Sequence, residues 1–251
     1  MGAEIAVVAL LGALIGSFLN VVIYRLPLGE SLVMPGSHCP VCDAPVRAFD
    51  NVPVVSWLLL RGRCRRCGAP ISPRYPIVEL LTAACFGAVV AARGFDNDLW
   101  LELPFVACLI ALAGIDLDHQ LLPNKIVYPM AAYGLVASAL VDMGDFPEHL
   151  IAGTGAFAFL LIAVLAYPSG MGMGDVKLGG TMGLYLGVSV VPALLAAFLT
   201  GTVFGLAVIA REGAQARKKA VPFGIFLAIG GLVGVLAGPE LIDFYESTFL
   251  N

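Results

Sequence analysis

LGGTMGLYLGVSVVPALLAAFLTGTVFGLAVIA (Leu178–Ala210) is a run of 33 residues without a charged side chain. As one helix it would be ~50 Å long, against a hydrocarbon core of ~30 Å. It is too long for one span, and the turn around Ser189 and Pro192 divides it into Leu178–Val191 and Pro192–Ala210. Six further apolar runs lie outside it: Ile5–Tyr24, Ile77–Ala92, Leu99–Ile115, Ile126–Val141, Leu150–Tyr167 and Val221–Ala237. The count is eight.

Composition agrees. Of the 251 residues 59% are hydrophobic and 13% charged, with a mean hydropathy of +0.93. A soluble domain carries about 25% charged residues, so much of this surface faces lipid. The net charge of -4 gives no reason to expect a nucleic-acid partner. Ile5–Tyr24 follows Glu4 rather than a basic segment and has no small-residue cleavage site after it, so it reads as a retained span.

The charges test the count. With alternating loops, one side receives Arg25, Arg47, Arg61, Arg63, Arg65, Arg66, Arg74, Lys125, Lys177, Arg211, Arg217, Lys218 and Lys219, leaving Arg93 alone opposite. The other side collects Glu4, Asp96, Asp98, Glu102, Asp142, Asp145, Glu148, Glu240, Asp243 and Glu246. The basic side is expected in the cytoplasm, with both termini outside. Fusing the two halves of Leu178–Ala210 would put the Arg211–Lys219 cluster on the wrong side. The expected fold is therefore an all-α polytopic membrane protein of about eight transmembrane helices. Its expected parts are a first helix (1–24), a cytoplasmic segment (25–75) and a membrane domain (76–251).

The cytoplasmic segment is rich in Pro, Gly and Arg, and near the size limit for folding without a metal or crosslink. It contains Cys39-Pro-Val-Cys42 and Cys64-Arg-Arg-Cys67, two C-x2-C pairs separated by 21 residues. This is zinc-ribbon spacing, slightly beyond the commonest range. Four thiolates complete a tetrahedral site with no open position, which makes the metal structural, and Arg63, Arg65 and Arg66 favour thiolate. The other reading is a pair of disulfides, which a cytoplasmic location disfavours. His38 is a bystander, and Cys85 and Cys108 read as buried inert thiols.

Ionisable residues in or beside spans are functional candidates. Asp116 ends the third span in GIDLDHQLLPN (Gly114–Asn124), and Asp175 follows the fifth in GMGMGDVK (Gly170–Lys177). Both fall at cytoplasmic helix ends at similar depth. Two facing aspartates cannot both ionise cheaply. Sharing a proton, one can activate water while the other protonates the carbonyl or leaving amine. Spacing alone does not pair them, and each could instead be solvated or cap a helix. Asp118, two residues from Asp116, should point elsewhere. Glu79 could be bridged to Arg74.

These residues resemble the type IV prepilin peptidase family along nearly the whole chain. The matching segments, in order, are GSFLNVVIYRLP (Gly16–Pro27), the cysteine quartet, SPRYPIVELLT (Ser72–Thr82), Asp116 with Pro123, and GMGDVKLGG (Gly172–Gly180). The resemblance implies an intramembrane aspartyl peptidase of the GxGD type with Asp116 and Asp175 as the catalytic pair. It implies zinc on Cys39, Cys42, Cys64 and Cys67, and prepilins or pseudopilins as substrates. It further implies N-methylation of the new amino terminus with S-adenosylmethionine. No glycine-rich nucleotide fingerprint is present, so no residue is assigned to the methyl donor. Asn124 departs from the acidic residue that many relatives carry there. The rival functions are a transporter using intramembrane aspartates, for which no inverted repeat is evident, and a membrane scaffold whose zinc ribbon recruits partners.

Overall fold

A computed structural model of the chain describes residues 2–141, 143–167, 171–213 and 222–249. Asp142, Gly170, Arg217, Lys218, Lys219 and Val221 from the reading above lie outside them. The described residues contain no strand. They form α1 (Gly2–Arg25), a short α2 (Val55–Leu59), α3 (Arg74–Arg93), α4 (Leu99–His119) and α5 (Asn124–Val141). Then come α6 (Phe146–Ala166), α7 (Met173–Leu186), α8 (Val190–Glu212) and α9 (Gly224–Phe249). Apart from α2 these correspond one to one with the eight expected spans.

By length and composition, six helical stretches among the described residues can cross a membrane. One of these is Met173–Glu212, 40 residues long, and it is interrupted by a 3-10 turn at Gly187–Ser189. Gly187 there has φ 53°, a conformation that ends α7. The long apolar run is therefore two helices, divided where Ser189 suggested, with Pro192 in the first turn of α8, where a missing N–H costs nothing.

Three of the differences from the expected boundaries matter most. The α4 helix runs on to His119, so Asp116 lies within its last turn and not at its end. The α7 helix begins at Met173, five residues before Leu178, because Gly172 and Asp175 start a helix rather than a loop. It has 14 residues and is ~21 Å long, short of the hydrocarbon thickness. The α9 helix continues through Pro239 to Phe249, carrying Glu240, Asp243 and Glu246. Its 26 residues make ~39 Å, so its end projects beyond an apolar layer.

The chain divides into two compact units, Met1–Phe95 and Asp96–Asn251. In the first, α1 lies along α3 at close range. A Cβ on Gly16 would stand 2.8 Å from the Glu79 Cα, so the backbones could not meet there with a larger residue. The Asn20 amide, buried in α1, donates to the Tyr75 carbonyl (3.1 Å) and so satisfies a polar group that lipid cannot.

In the second unit α6 and α7 pack through Gly153 and Gly183, where a Cβ on Gly183 would meet the Gly153 nitrogen at 2.5 Å. Tyr185 of α7 stacks on Phe105 of α4, with centroids 4.6 Å apart, and its hydroxyl donates to the Met130 carbonyl of α5 (2.7 Å). Phe105, Leu109, Leu112, Ile115, Leu178 and Met182 are fully buried in this unit. The opposite side of α6 exposes Ile151, Phe159, Ile162 and Leu165, a surface suited to lipid.

Candidate functional site

Asp116 and Asp175 are both buried in the second unit, at 5% and 8% exposure. Aspartate is almost never this buried unless partnered, so each position has to be explained by its surroundings.

Asp116 is set by the way α4 ends. Gln120 takes a left-handed conformation (φ 50°, ψ 45°) and its N–H returns to the Asp116 carbonyl at 2.9 Å. The chain reverses, and the Pro123 carbonyl accepts the first bonds of α5, from Ile126 (2.9 Å) and Val127 (3.1 Å). The proline seven residues after the aspartate thus starts the next helix. The Asp116 side chain faces the first-turn amides of Gly224 and Ile225 in α9. Neither reaches Oδ2 within hydrogen-bonding distance, and that buried oxygen has no partner among the described residues.

Asp175 is set by the start of α7. Its Oδ2 accepts the Gly172 N–H at 2.9 Å while its own N–H donates to the Gly172 carbonyl at 3.1 Å. This is the carboxylate half of a capping box, glycine having no side chain for the other half. The carboxylate also lies against the positive end of the helix dipole. It is close enough to Asp116 for the two to interact electrostatically. Asp118 is exposed, on a different face of α4. Two residues beyond Asp175, the Lys177 ammonium donates to Asn124 Oδ1 (3.1 Å) and lies over the Tyr128 ring (5.2 Å).

In the first unit the four paired cysteines meet. Their sulfurs all lie within 4.8 Å of one another, with Cys39–Cys67 at 3.8 Å and Cys42–Cys64 at 4.0 Å. A tetrahedral ion with metal–sulfur bonds of ~2.3 Å needs sulfurs about 3.8 Å apart. The four thiols could hold such an ion. His38 is not in the group; its Nδ1 lies 3.0 Å from the Gly36 carbonyl.

The thiols are also electrically unequal. The amides of Cys67 and Arg66 hold Cys64 down at about 6, and those of Cys42 and Val41 lower Cys39. The Ala69 amide pulls Cys67 the same way, yet burial and the three neighbouring sulfurs push it up to about 11. Four thiolates in one place require a cation among them.

Comparison with known proteins decides the family. Residues 10–93 match the Bacterial Peptidase A24 N-terminal domain and residues 103–206 the Type IV leader peptidase family. The prepilin leader peptidase/N-methyltransferase of Aeromonas hydrophila is 38% identical over 98% of this chain and 94% of its own length. Those of Stutzerimonas stutzeri and Pseudomonas aeruginosa are each 34% identical over 94% of this chain and 91% of theirs. The chain belongs to the type IV leader peptidase family. No solved structure matches it.

Several features of this leader peptidase family member were missed in the sequence. Leu122, Gly224 and Ile225 border the aspartates, but the first sits in a turn and the others inside a plain apolar run. Glu79, named above as a partner for Arg74, is buried, and its unforeseen contact is the Val54 N–H, which Oε2 accepts at 2.7 Å. Val54 has φ 61° and ψ -51°, a strained γ-turn for a β-branched residue. A detectable signal was overlooked in the cysteine segment. CPVCDAPV (Cys39–Val46) and CRRCGAPI (Cys64–Ile71) are copies of one pattern. Their hydrogen bonds repeat as well: Cys39 and Cys64 donate to Ala44 and Ala69 (2.9 and 2.8 Å), and Asp43 and Gly68 donate back (both 2.9 Å).

Proposed function

We propose that this multi-pass membrane protein removes the leader peptide of prepilins or pseudopilins and then methylates the new amino terminus. The observation that carries the reading is the pair of buried carboxylates, Asp116 from the last turn of α4 and Asp175 from the first turn of α7. In the cleavage step the ionised carboxylate takes a proton from water, and the hydroxide attacks the scissile carbonyl. The protonated partner donates to the carbonyl oxygen. Collapse of the tetrahedral intermediate breaks the C–N bond, and the proton taken from water goes to the leaving amine. The released segment is the leader, and the new amine belongs to the mature pilin.

Residues 25–75 form the cytoplasmic domain in this reading, and both termini are external, which the charge asymmetry supports. The α4 end and the α7 start then share the cytoplasmic side. A prepilin keeps its apolar helix in the bilayer and its basic leader at the anionic inner leaflet, which delivers the bond to that depth. Zinc on Cys39, Cys42, Cys64 and Cys67 supplies fold stability and takes no part in hydrolysis. S-adenosylmethionine is the methyl donor; names of the relatives support methyl transfer, and no residue is assigned to it.

The test is purified protein in detergent with a prepilin and S-adenosylmethionine, followed by mass spectrometry of the product. Loss of the leader and gain of one methyl group are expected. Intact prepilin under conditions where a known leader peptidase cuts would overturn the reading.

A further inference from the structure

The start of α9 comes unusually close to the Asp116 carboxylate. A Cβ built on Gly224 would stand 2.8 Å from Asp116 Oδ2, 3.1 Å from its Cγ and 2.9 Å from Leu122 Cδ2. Unbonded carbon atoms settle at about 3.5–4.0 Å, so one added methyl group fits only if the Asp116 carboxylate, the Leu122 side chain or the start of α9 shifts. Leu122 is itself buried and touches a second glycine: a Cβ on Gly174 would lie 3.0 Å from Leu122 Cβ. Gly174 immediately precedes Asp175. One leucine therefore separates the backbone beside Asp175 from the backbone beside Asp116.

The second observation is the Asp116 oxygen itself. Oδ2 is buried without a hydrogen-bond partner among the described residues, although the amides of Gly224 and Ile225 face the carboxylate. Among the described residues no hydrogen bond holds that oxygen in place, so packing against the α9 backbone has to do so.

We propose that Gly224 is a positioning residue for Asp116: its missing side chain leaves the room in which the carboxylate and Leu122 pack against the start of α9. The inference rests on Asp116 being catalytic. A side chain at position 224 pushes either the carboxylate or the start of α9 aside. Small displacements of a catalytic group cost up to about 100-fold in rate, while substrate binding along the membrane helix is untouched.

The experiment is steady-state cleavage of a prepilin by Gly224→Ala, Leu122→Ala and the double variant, each with its melting temperature and metal content in detergent. Gly224→Ala is expected to lower kcat by about 10- to 100-fold with KM within about twofold. The double variant should recover part of that loss, because trimming Leu122 lets the start of α9 move away from the carboxylate. Gly155→Ala, on α6 with nothing within 4 Å of the added methyl, is the control and should keep its rate. Full kcat in Gly224→Ala would overturn the proposal. So would a loss that tracks the melting temperature, or one that Leu122→Ala merely deepens, since both mean general packing. An active Asp116→Asn variant would instead remove the functional reading beneath it.

Discussion

Lys177 and Asn124 join two helices across the start of the candidate site: the ammonium on α7 donates to the amide oxygen on α5 at 3.1 Å. Asn124 carries no charge, yet it offers Lys177 an acceptor. The bond is exposed and worth about 1 kcal/mol. Asn124→Asp should therefore retain cleavage, while Asn124→Leu or Lys177→Met should slow it by about threefold to tenfold by loosening the start of α7 against α5. Rates from a prepilin time course decide, and an inactive Asn124→Asp would contradict the account.

Asp116→Asn and Asp175→Asn should each abolish cleavage, by at least about 1000-fold, because general acid and general base are both lost as functions of the pair. Asn keeps shape and most hydrogen bonding. The Gly172 N–H that now meets Asp175 Oδ2 can still be accepted by an amide oxygen. Exposed Asp118 is the control, and Asp118→Asn should stay active. Retained cleavage in either site variant would mean a different carboxylate or a different mechanism.

The cysteine cluster should take up about one zinc per chain and release protons as it does. Metal binds thiolate, so a thiol whose pKa lies above the working pH must give up its proton first. At pH 7 the Cys67 thiol, pushed up to about 11, still holds its proton, whereas Cys64 at about 6 is mostly ionised. Affinity should therefore fall as pH drops, most steeply below about 6, where Cys64 also protonates. Titrating apo-protein with zinc beside a pH indicator and a competing chelator measures both quantities. Cys64→Ser should lose the metal and open residues 25–75 to protease.

The two cysteine turns should respond oppositely to substitution at their matching fifth positions. Asp43 has φ 56° and Gly68 has φ 72°, so both turns use the left-handed region. Gly68→Val places a β-branched side chain there, at a cost of about 1–2 kcal/mol, and should speed zinc loss to a chelator. Asp43→Gly relieves the same strain and should leave zinc retention equal or better.

Reporters placed after Asp145 and after Glu212 should lie on opposite sides of the membrane. Asp145 precedes α6, and three helices, α6, α7 and α8, separate it from the end of α8 at Glu212. Reporting from one side would mean that α7 and α8 cross the bilayer together.

Apolar run length and charge placement alone determined an all-helical chain of about eight spans, because a lipid core admits only helices of about 20 residues and loops take sides by their Lys and Arg. The two C-x2-C pairs were equally plain, since metal-ligand spacing is local and short. The break in Leu178–Ala210 could be placed only near Ser189, as length demanded a turn but not its form. Helix starts were less legible. Met173, Gly172 and Asp175 read as a loop because three glycines are poor helix formers, yet the Asp175 carboxylate caps the helix through the Gly172 N–H. Tertiary structure alone decided what surrounds the aspartates. Gly224 lies 108 positions after Asp116, and nothing in its own run says which side chain it must leave room for. That follows from how α9 packs on α4, with Leu122 between them, and packing contacts between distant segments have no signature in local sequence.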